Sequence, residues 1–272
     1  LNVVVGLQRR YENKYIALNN KVISGDIGKI VSGQVYWNDG GVWVNKRTSS
    51  QTELEYQMRN WYYFTWVCGD HILEQHIHNI DVANWFIGEY PAFAQGMGGR
   101  EVRNGKDHGQ IFDHHFVEFT YPSGAVISSQ CRHQKGTMSR VDEAFQGTKG
   151  SIVMGKGEIK NISGDITYSY PNTNYWDSDI EPNPYQVEHD RLFESIRNGN
   201  VISNAEYGAK STLAAIMGRM ATYTGKKLKW DDVMNSKEIL IPENLSWDSV
   251  PPTIPDSDGN YTIAKPGITK FI

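Results

Sequence analysis

At 272 residues, with 39% hydrophobic and 12% aromatic side chains, the chain can bury a large core and does not read as a disordered segment. A net charge of -4 with no local Lys/Arg run argues against nucleic acid as a partner, and no stretch reaches the roughly 18 apolar residues of a membrane span. Cys68 and Cys131 form no Cys-x-x-Cys pattern, so neither a disulfide framework nor a cysteine metal site is expected.

The opening Leu1 to Gly6 reads as a buried strand. A first helix is predicted over about residues 10–24, with Tyr15, Leu18 and Val22 on one face and Gly25 as its stop, followed by a strand near residues 30–37. Residues 39–66 are irregular and rich in aromatic side chains, among them Trp43, Tyr56, Trp61, Tyr62 and Trp66, which suits a long loop folded over a site.

Residues 69–81 carry the densest chemistry of the chain. On a helix at about 100° per residue, Asp70, His71, Glu74, His78 and Asp81 share an arc of about 100°. Ile72, Ile80 and Ala83 lie opposite, with Leu73 and Ile77 on the flank, so one continuous helix is predicted with a packed side and an ionisable side. Gly88 and Pro91 should end it.

Short strands with turn signals follow, near residues 92–98, 140–147, 151–154, 158–162 and 166–170. The clearest hairpin joins His114–Tyr121 to Ala125–His133 through Pro122-Ser123-Gly124, which places His114 opposite Arg132. Asn183-Pro184 is an N-cap with proline at the first helical position, and Asn198-Gly199 closes that helix. Ser203-x-x-Glu206 reads as a capping box for a second helix, with Ala209, Leu213, Ile216, Met217 and Met220 as its apolar stripe. From about residue 241 the prolines exclude regular structure and predict an extended wrapping tail over 241–272, leaving 11–240 as the folded body. The fold expected is α/β (α+β), a mixed, mostly antiparallel open sheet with helices on one face. Its uncovered sheet face should join a homodimer or homotetramer.

These pieces, in this order, resemble the C-terminal domain of the glucose-fructose oxidoreductase and inositol dehydrogenase family (Gfo/Idh/MocA), especially its bacterial sugar-metabolising members. The resemblance rests on Val5-Gly6-Leu7-Gln8-Arg9-Arg10, Gly25 to Ile30, Gly69 to Asp81, Gly147-Thr148-Lys149-Gly150-Ser151, and Tyr223-Thr224-Gly225 before Trp230-Asp231-Asp232. It implies a dihydrodipicolinate-reductase-like fold. Family members place an acid, a histidine four residues later and an aspartate three beyond on one helix, here Glu74, His78 and Asp81. Glu74 stands where Asp is usual, and His76 where Gly is usual.

The family also has an N-terminal Rossmann domain with a Gly-rich phosphate turn. Gly96-x-Gly98-Gly99 and Gly155-x-Gly157 sit among hairpin strands and read as turns. The chain is therefore expected to begin just after such a domain, with residues 1–10 as the end of the connection. NAD(P) would be bound mainly by that domain and not by this chain alone.

The resemblance implies oxidation of a sugar, glycoside or cyclitol hydroxyl. His78 is then the candidate base for the hydroxyl proton, with Glu74 fixing its tautomer. Candidate substrate contacts are Asp81, Arg10, Trp61, Tyr62, His71, His114, Arg132 and His133, with Trp61 and Tyr62 preferred for stacking on a sugar. Asp81 reads equally well as one half of an ion pair. Two other readings compete. His71, Glu74, His78 and His114 could hold a metal for lyase or hydrolase chemistry on oxidised glycosides. The chain could also be a sugar-binding or assembly domain without catalysis.

Overall fold

The computed structural model describes residues 1–171 and 181–270. Its centre is strand β1 (Ile30–Asp39), which pairs in parallel with β4 (Val126–His133) and antiparallel with β5 (Arg140–Gly147). Around it lies a nine-stranded sheet of order β8-β7-β6-β5-β1-β4-β3-β2-β9, in which every pairing except β1–β4 is antiparallel. The remaining strands are β2 (Phe93–Gly99), β3 (His114–Thr120), β6 (Gly150–Val153), β7 (Glu158–Asn161), β8 (Ile166–Ser169) and β9 (Leu228–Lys229). The expected open, mixed sheet is thus the observed one, and the strand positions agree within two residues.

The β3–β4 hairpin has the predicted register, His114 opposite Arg132, with Gly124 at φ 87° in the turn. That register decides which residues can meet. Side chains alternate faces along a strand, so His115, Val117 and Phe119 of β3 lie with Ile127, Ser129, Cys131 and His133 of β4 under the helices. All seven are buried. His114, Phe116, Arg132 and Gln130 point to the other face.

Three helical segments cover the first face: α4 (His71–Glu74), α5 (Ile77–Ile87) and α7 (Ala205–Thr224). The long α7 packs most closely on β2, where a Cβ on Gly96 or Gly98 would meet Thr222 or strand β3 backbone. Its buried positions include Ser211, Ala214, Ala215, Gly218 and Ala221, small side chains that let the helix axis approach the sheet. The apolar stripe predicted for α7 is therefore corrected: Met217 and Met220 are buried, but Ala209 is exposed. The capping box is corrected too. Asn204 is the N-cap and makes no side-chain cap, because its Oδ1 accepts from Val5 N and Tyr11 OH instead. Glu206 pairs with Lys210.

Three more expectations change. Leu1 to Gly6 is not a buried strand: Leu1 and Val3 are exposed, and the segment forms only a single bridge, Val3 to Ser203. The first helix starts later, as a 3-10 turn at Gln8–Tyr11 followed by α1 (Asn13–Ile23). Within the irregular stretch, Thr52 and Glu55 form a capping box that starts α2 (Glu53–Arg59), and α3 (Thr65–Cys68) is one further turn. α6 (Pro184–Asn198) has the predicted Asn183 cap and Gly199 stop. α8 (Trp230–Met234) precedes a tail without regular structure as far as residue 270, and residues 271–272 of the predicted tail lie outside the described residues.

No helix among the described residues is long and apolar enough to cross a membrane.

Candidate functional site

The segment 70–81 is helical, but it is not one helix. Asp70 has φ 81° and ψ 159°, so the chain enters α4 from an extended conformation that L-residues rarely adopt. One turn later the hydrogen bonds change spacing. His76 N donates to His71 O, five residues back, and His78 N donates to Gln75 O, three back. The wide turn followed by a tight one splits the segment at Gln75–His76. His76, where the family usually has Gly, points at the sheet, with Nε2 2.7 Å from Ser129 Oγ and Nδ1 3.2 Å from Asn79 Oδ1.

This break corrects the single ionisable face. Asp70, His71 and Asp81 are buried, while Glu74, Gln75 and His78 remain half-buried along the open side. Glu74 and His78 keep the four-residue separation, one on α4 and the other on α5, but Glu74 bonds Tyr62 and not the imidazole, so the expectation that Glu74 fixes the His78 tautomer is corrected. Burial pushes the Glu74 carboxyl up, opposed by a hydrogen bond from Tyr62. Burial, reinforced by the nearby Arg9 guanidinium, lowers the His78 imidazole to about 4. His78 is therefore neutral near pH 7 and able to accept a proton. Its Nδ1 is buried with no partner, and its ring lies 5.9 Å from the Trp37 ring.

The aromatic loop folds over the same side. Trp43 and Trp61 are 5.7 Å apart, Trp61 and Tyr62 5.4 Å, and Tyr62 stacks on His133 at 5.4 Å. Trp61 is half-buried and Trp43 is exposed, so these two rings keep accessible surface. Tyr62 does not. At 2% exposure it has no free face, and its placement corrects the stacking role to one of holding Glu74. Trp43 was missed as a stacking candidate because nothing in the irregular 39–66 stretch fixes which rings fold outward.

Other predicted contacts are drawn elsewhere. Arg10 and Asp81 form a two-pronged ion pair at 2.8 and 2.9 Å, and Ser211 Oγ donates to Asp81 at 2.7 Å. Arg10 also lies against the rings of Trp85 and Tyr207. With both partners engaged, the ion-pair reading of Asp81 describes the geometry, and the pair ties the start of the chain to α5 and α7. Arg9 instead pairs with buried Glu143, which also accepts from Tyr15 OH and Asn79 Nδ2. That network sits beneath His78.

His114 and Arg132 lie on the far face of the sheet from Glu74 and His78. His114 Nδ1 is 2.8 Å from Asp113 Oδ1, and Arg132 donates to Met138 O. The alternative metal set of His71, Glu74, His78 and His114 is likewise not gathered, since the sheet separates His114 from the others. His133 is under the helices, with Nε2 3.0 Å from Gln75 Oε1 and its ring stacked on His71 at 4.3 Å. It supports the wall that carries Gln75 and Tyr62 rather than facing a ligand.

A family model for the GFO/IDH/MocA C-terminal domain matches residues 15–153. The chain belongs to this family. Solved structures share the fold at low identity. Levoglucosan dehydrogenase in complex with NADH and levoglucosan is 16% identical with a TM-score of 0.64, covering 84% of this chain and 66% of that one. Aldose-aldose oxidoreductase from Caulobacter crescentus, complexed with glycerol, is 17% identical with a TM-score of 0.62 over 84% and 64%. Scyllo-inositol dehydrogenase from Lactobacillus casei, with NAD(H) and scyllo-inositol, is 18% identical with a TM-score of 0.61 over 85% and 65%. A probable dehydrogenase from Thermotoga maritima is covered over 64% of its length, so the Gfo/Idh/MocA chain described here spans less than two thirds of such relatives. No curated protein matches it in sequence. Membership makes it a domain of an oxidoreductase family.

Proposed function

We propose that this domain supplies the substrate side of an NAD(P)-dependent dehydrogenase acting on a sugar, glycoside or cyclitol hydroxyl. A dinucleotide-binding domain would carry the cofactor and this chain the proton chemistry. The observation that carries the reading is the placement of Glu74 and His78: half-buried, on successive helices, with His78 neutral beside the Trp37 ring and Glu74 held by Tyr62. In such a reaction the carbinol C–H leaves as hydride to the oxidised nicotinamide, and the O–H proton passes to His78. The family membership and the ligands named for levoglucosan and scyllo-inositol dehydrogenases support the substrate class.

The test is nicotinamide reduction at 340 nm by the enzyme containing this domain, across a panel of aldoses, glycosides and inositols. Saturable turnover with at least one polyol ring supports the reading. No turnover with any of them, under conditions where the cofactor binds, would reject it.

The same proposal assigns the uncovered sheet face to a homodimer or homotetramer. That face mixes Tyr36, Met97 and Phe116 with Ser32, Gln34, Ser128 and Gln130, so its contacts would be part apolar and part hydrogen-bonded. Light scattering should then give at least twice the 30.8 kDa chain mass. A monodisperse monomer would count against it, and Phe116→Glu with Met97→Glu should dissociate the assembly.

A further inference from the structure

Behind the proposed site, Asp70, His71 and His115 converge in the core beneath α7. All are buried, at 0%, 1% and 3% exposure, and one ligating atom from each lies within 4.8 Å of the others. Asp70 Oδ1 is 3.2 Å from His115 Nε2 and 3.8 Å from His71 Nε2. Three donors bound to a tetrahedral ion at about 2.1 Å would stand roughly 3.4 Å apart. The two separations from Asp70 Oδ1 straddle that figure, and the two imidazoles stand within 4.8 Å of each other.

The hydrogen atoms sharpen the point. Thr222 Oγ1 lies 2.9 Å from Arg219 O, to which it can donate, and 2.9 Å from His115 Nδ1. With the hydroxyl proton on Arg219 O, Nδ1 is the donor to Thr222, and Nε2 of the neutral ring then presents a lone pair to the carboxylate oxygen 3.2 Å away. Two lone pairs facing each other in the core repel. Both ring nitrogens of His71 are buried with no hydrogen-bond partner, and the Asp70 carboxylate stands 3.8 Å from Nε2. A buried imidazole left wholly unpartnered is costly. Asp70 Oδ2 is fixed by Phe112 N at 3.0 Å and Tyr223 OH at 2.5 Å, and Oδ1, which accepts from His71 N at 2.5 Å, faces the two imidazoles with its remaining lone pair. Asp70 is, among the described residues, the one non-glycine residue with positive φ. The backbone bears that strain while its carboxylate completes the cluster.

We propose that Asp70, His71 and His115 bind one divalent transition-metal ion, zinc above all. Two imidazoles and a carboxylate suit zinc better than calcium or magnesium, which prefer all-oxygen sites. A cation at their centre turns the opposed lone pairs into ligand bonds and gives His71 its missing partner. Thr222 orients His115, and Tyr223 and Phe112 orient Asp70, as partners behind metal ligands commonly do. The ion would join the start of α4 to β3, and α7 would close over both. The site is distinct from Glu74 and His78 and does not depend on the hydride-transfer reading.

The test strips the full chain with chelator, then titrates it with Co2+ and Zn2+. Expected are one equivalent bound per chain, visible Co2+ absorption of four-coordinate intensity that Zn2+ bleaches, and a rise in Tm on adding Zn2+. His71→Gln and His115→Gln should lose stoichiometric binding. Thr222→Val keeps shape but removes the acceptor for His115, and should weaken binding by roughly 10- to 100-fold. Should the glutamine variants fail to fold, the wild-type Co2+ titration and Thr222→Val still decide the question. Absence of a stoichiometric site in the wild type, or one unaffected by these substitutions, would overturn the proposal in favour of an Asp70–His115 imidazolium pair.

Discussion

Replacing His78 with Asn in the enzyme that contains this domain should lower kcat by roughly two to four orders of magnitude, in line with the loss of a general base. Asn preserves approximate size and hydrogen bonding but cannot take up the hydroxyl proton. KM should change far less, because in the proposed reaction surrounding rings and polar groups, not the proton acceptor, would hold the polyol. Glu74→Gln should reproduce part of the loss. The glutamine keeps contact with Tyr62 but removes the negative charge that would stabilise an imidazolium four residues away. With His78 lowered to about 4, the acid limb of kcat/KM in the wild type should fall well below pH 6, and the variant should lack that limb. Turnover of His78→Asn within a few-fold of wild type would refute the assignment.

Lowering the pH from 7 to 5 should destabilise the domain through its neutral histidines. Burial lowers His76 to about 3 and His78 to about 4, against about 6.5 in an unfolded chain. Between those values the unfolded state binds protons that the folded state refuses. The stability these groups contribute is complete above about pH 6.5 and drains away as pH falls toward the folded values. Together they should cost on the order of 3 to 4 kcal/mol between pH 7 and 5. Glu12, Glu74 and Glu143 work in the opposite sense, since burial raises all three and each takes up a proton more readily when folded. Comparison with His78→Asn cancels the carboxylates to first order. In urea titrations at both pH values the variant should lose roughly 2 kcal/mol less than the wild type on acidification. Equal losses in the two proteins would show that His78 is not buried neutral.

Local grammar carried much of the architecture. Asn183-Pro184 and Gly199 bound α6 because an N-cap acceptor, a proline lacking its amide hydrogen and a left-handed glycine act through neighbouring backbone alone. The β3–β4 register followed from the loop residues and the two-residue repeat of a strand. The same register already implied that His114 and His133 face opposite sides: Arg132 pairs with His114, and the next residue must point away. The register alone therefore excludes His114 and His133 as contacts of one site.

What only the tertiary structure decided concerns groups whose partners are distant in sequence. Nothing near Arg9 announces Glu143, 134 positions away, and nothing near Asp70 announces His115, Phe112 or Tyr223. The split at Gln75–His76 is of the same kind. Helical periodicity assumes even backbone spacing, whereas His76 is held by Ser129 on the sheet, and the widened turn directs Asp70 and His71 inward and leaves Glu74 and His78 at the open side. The residue types capable of acid-base chemistry could be read from one stretch of chain. Which of them face solvent, pair with a buried charge or converge in the core depends on long-range packing, because burial and partner geometry, not residue type, decide whether a carboxylate or an imidazole is free to react.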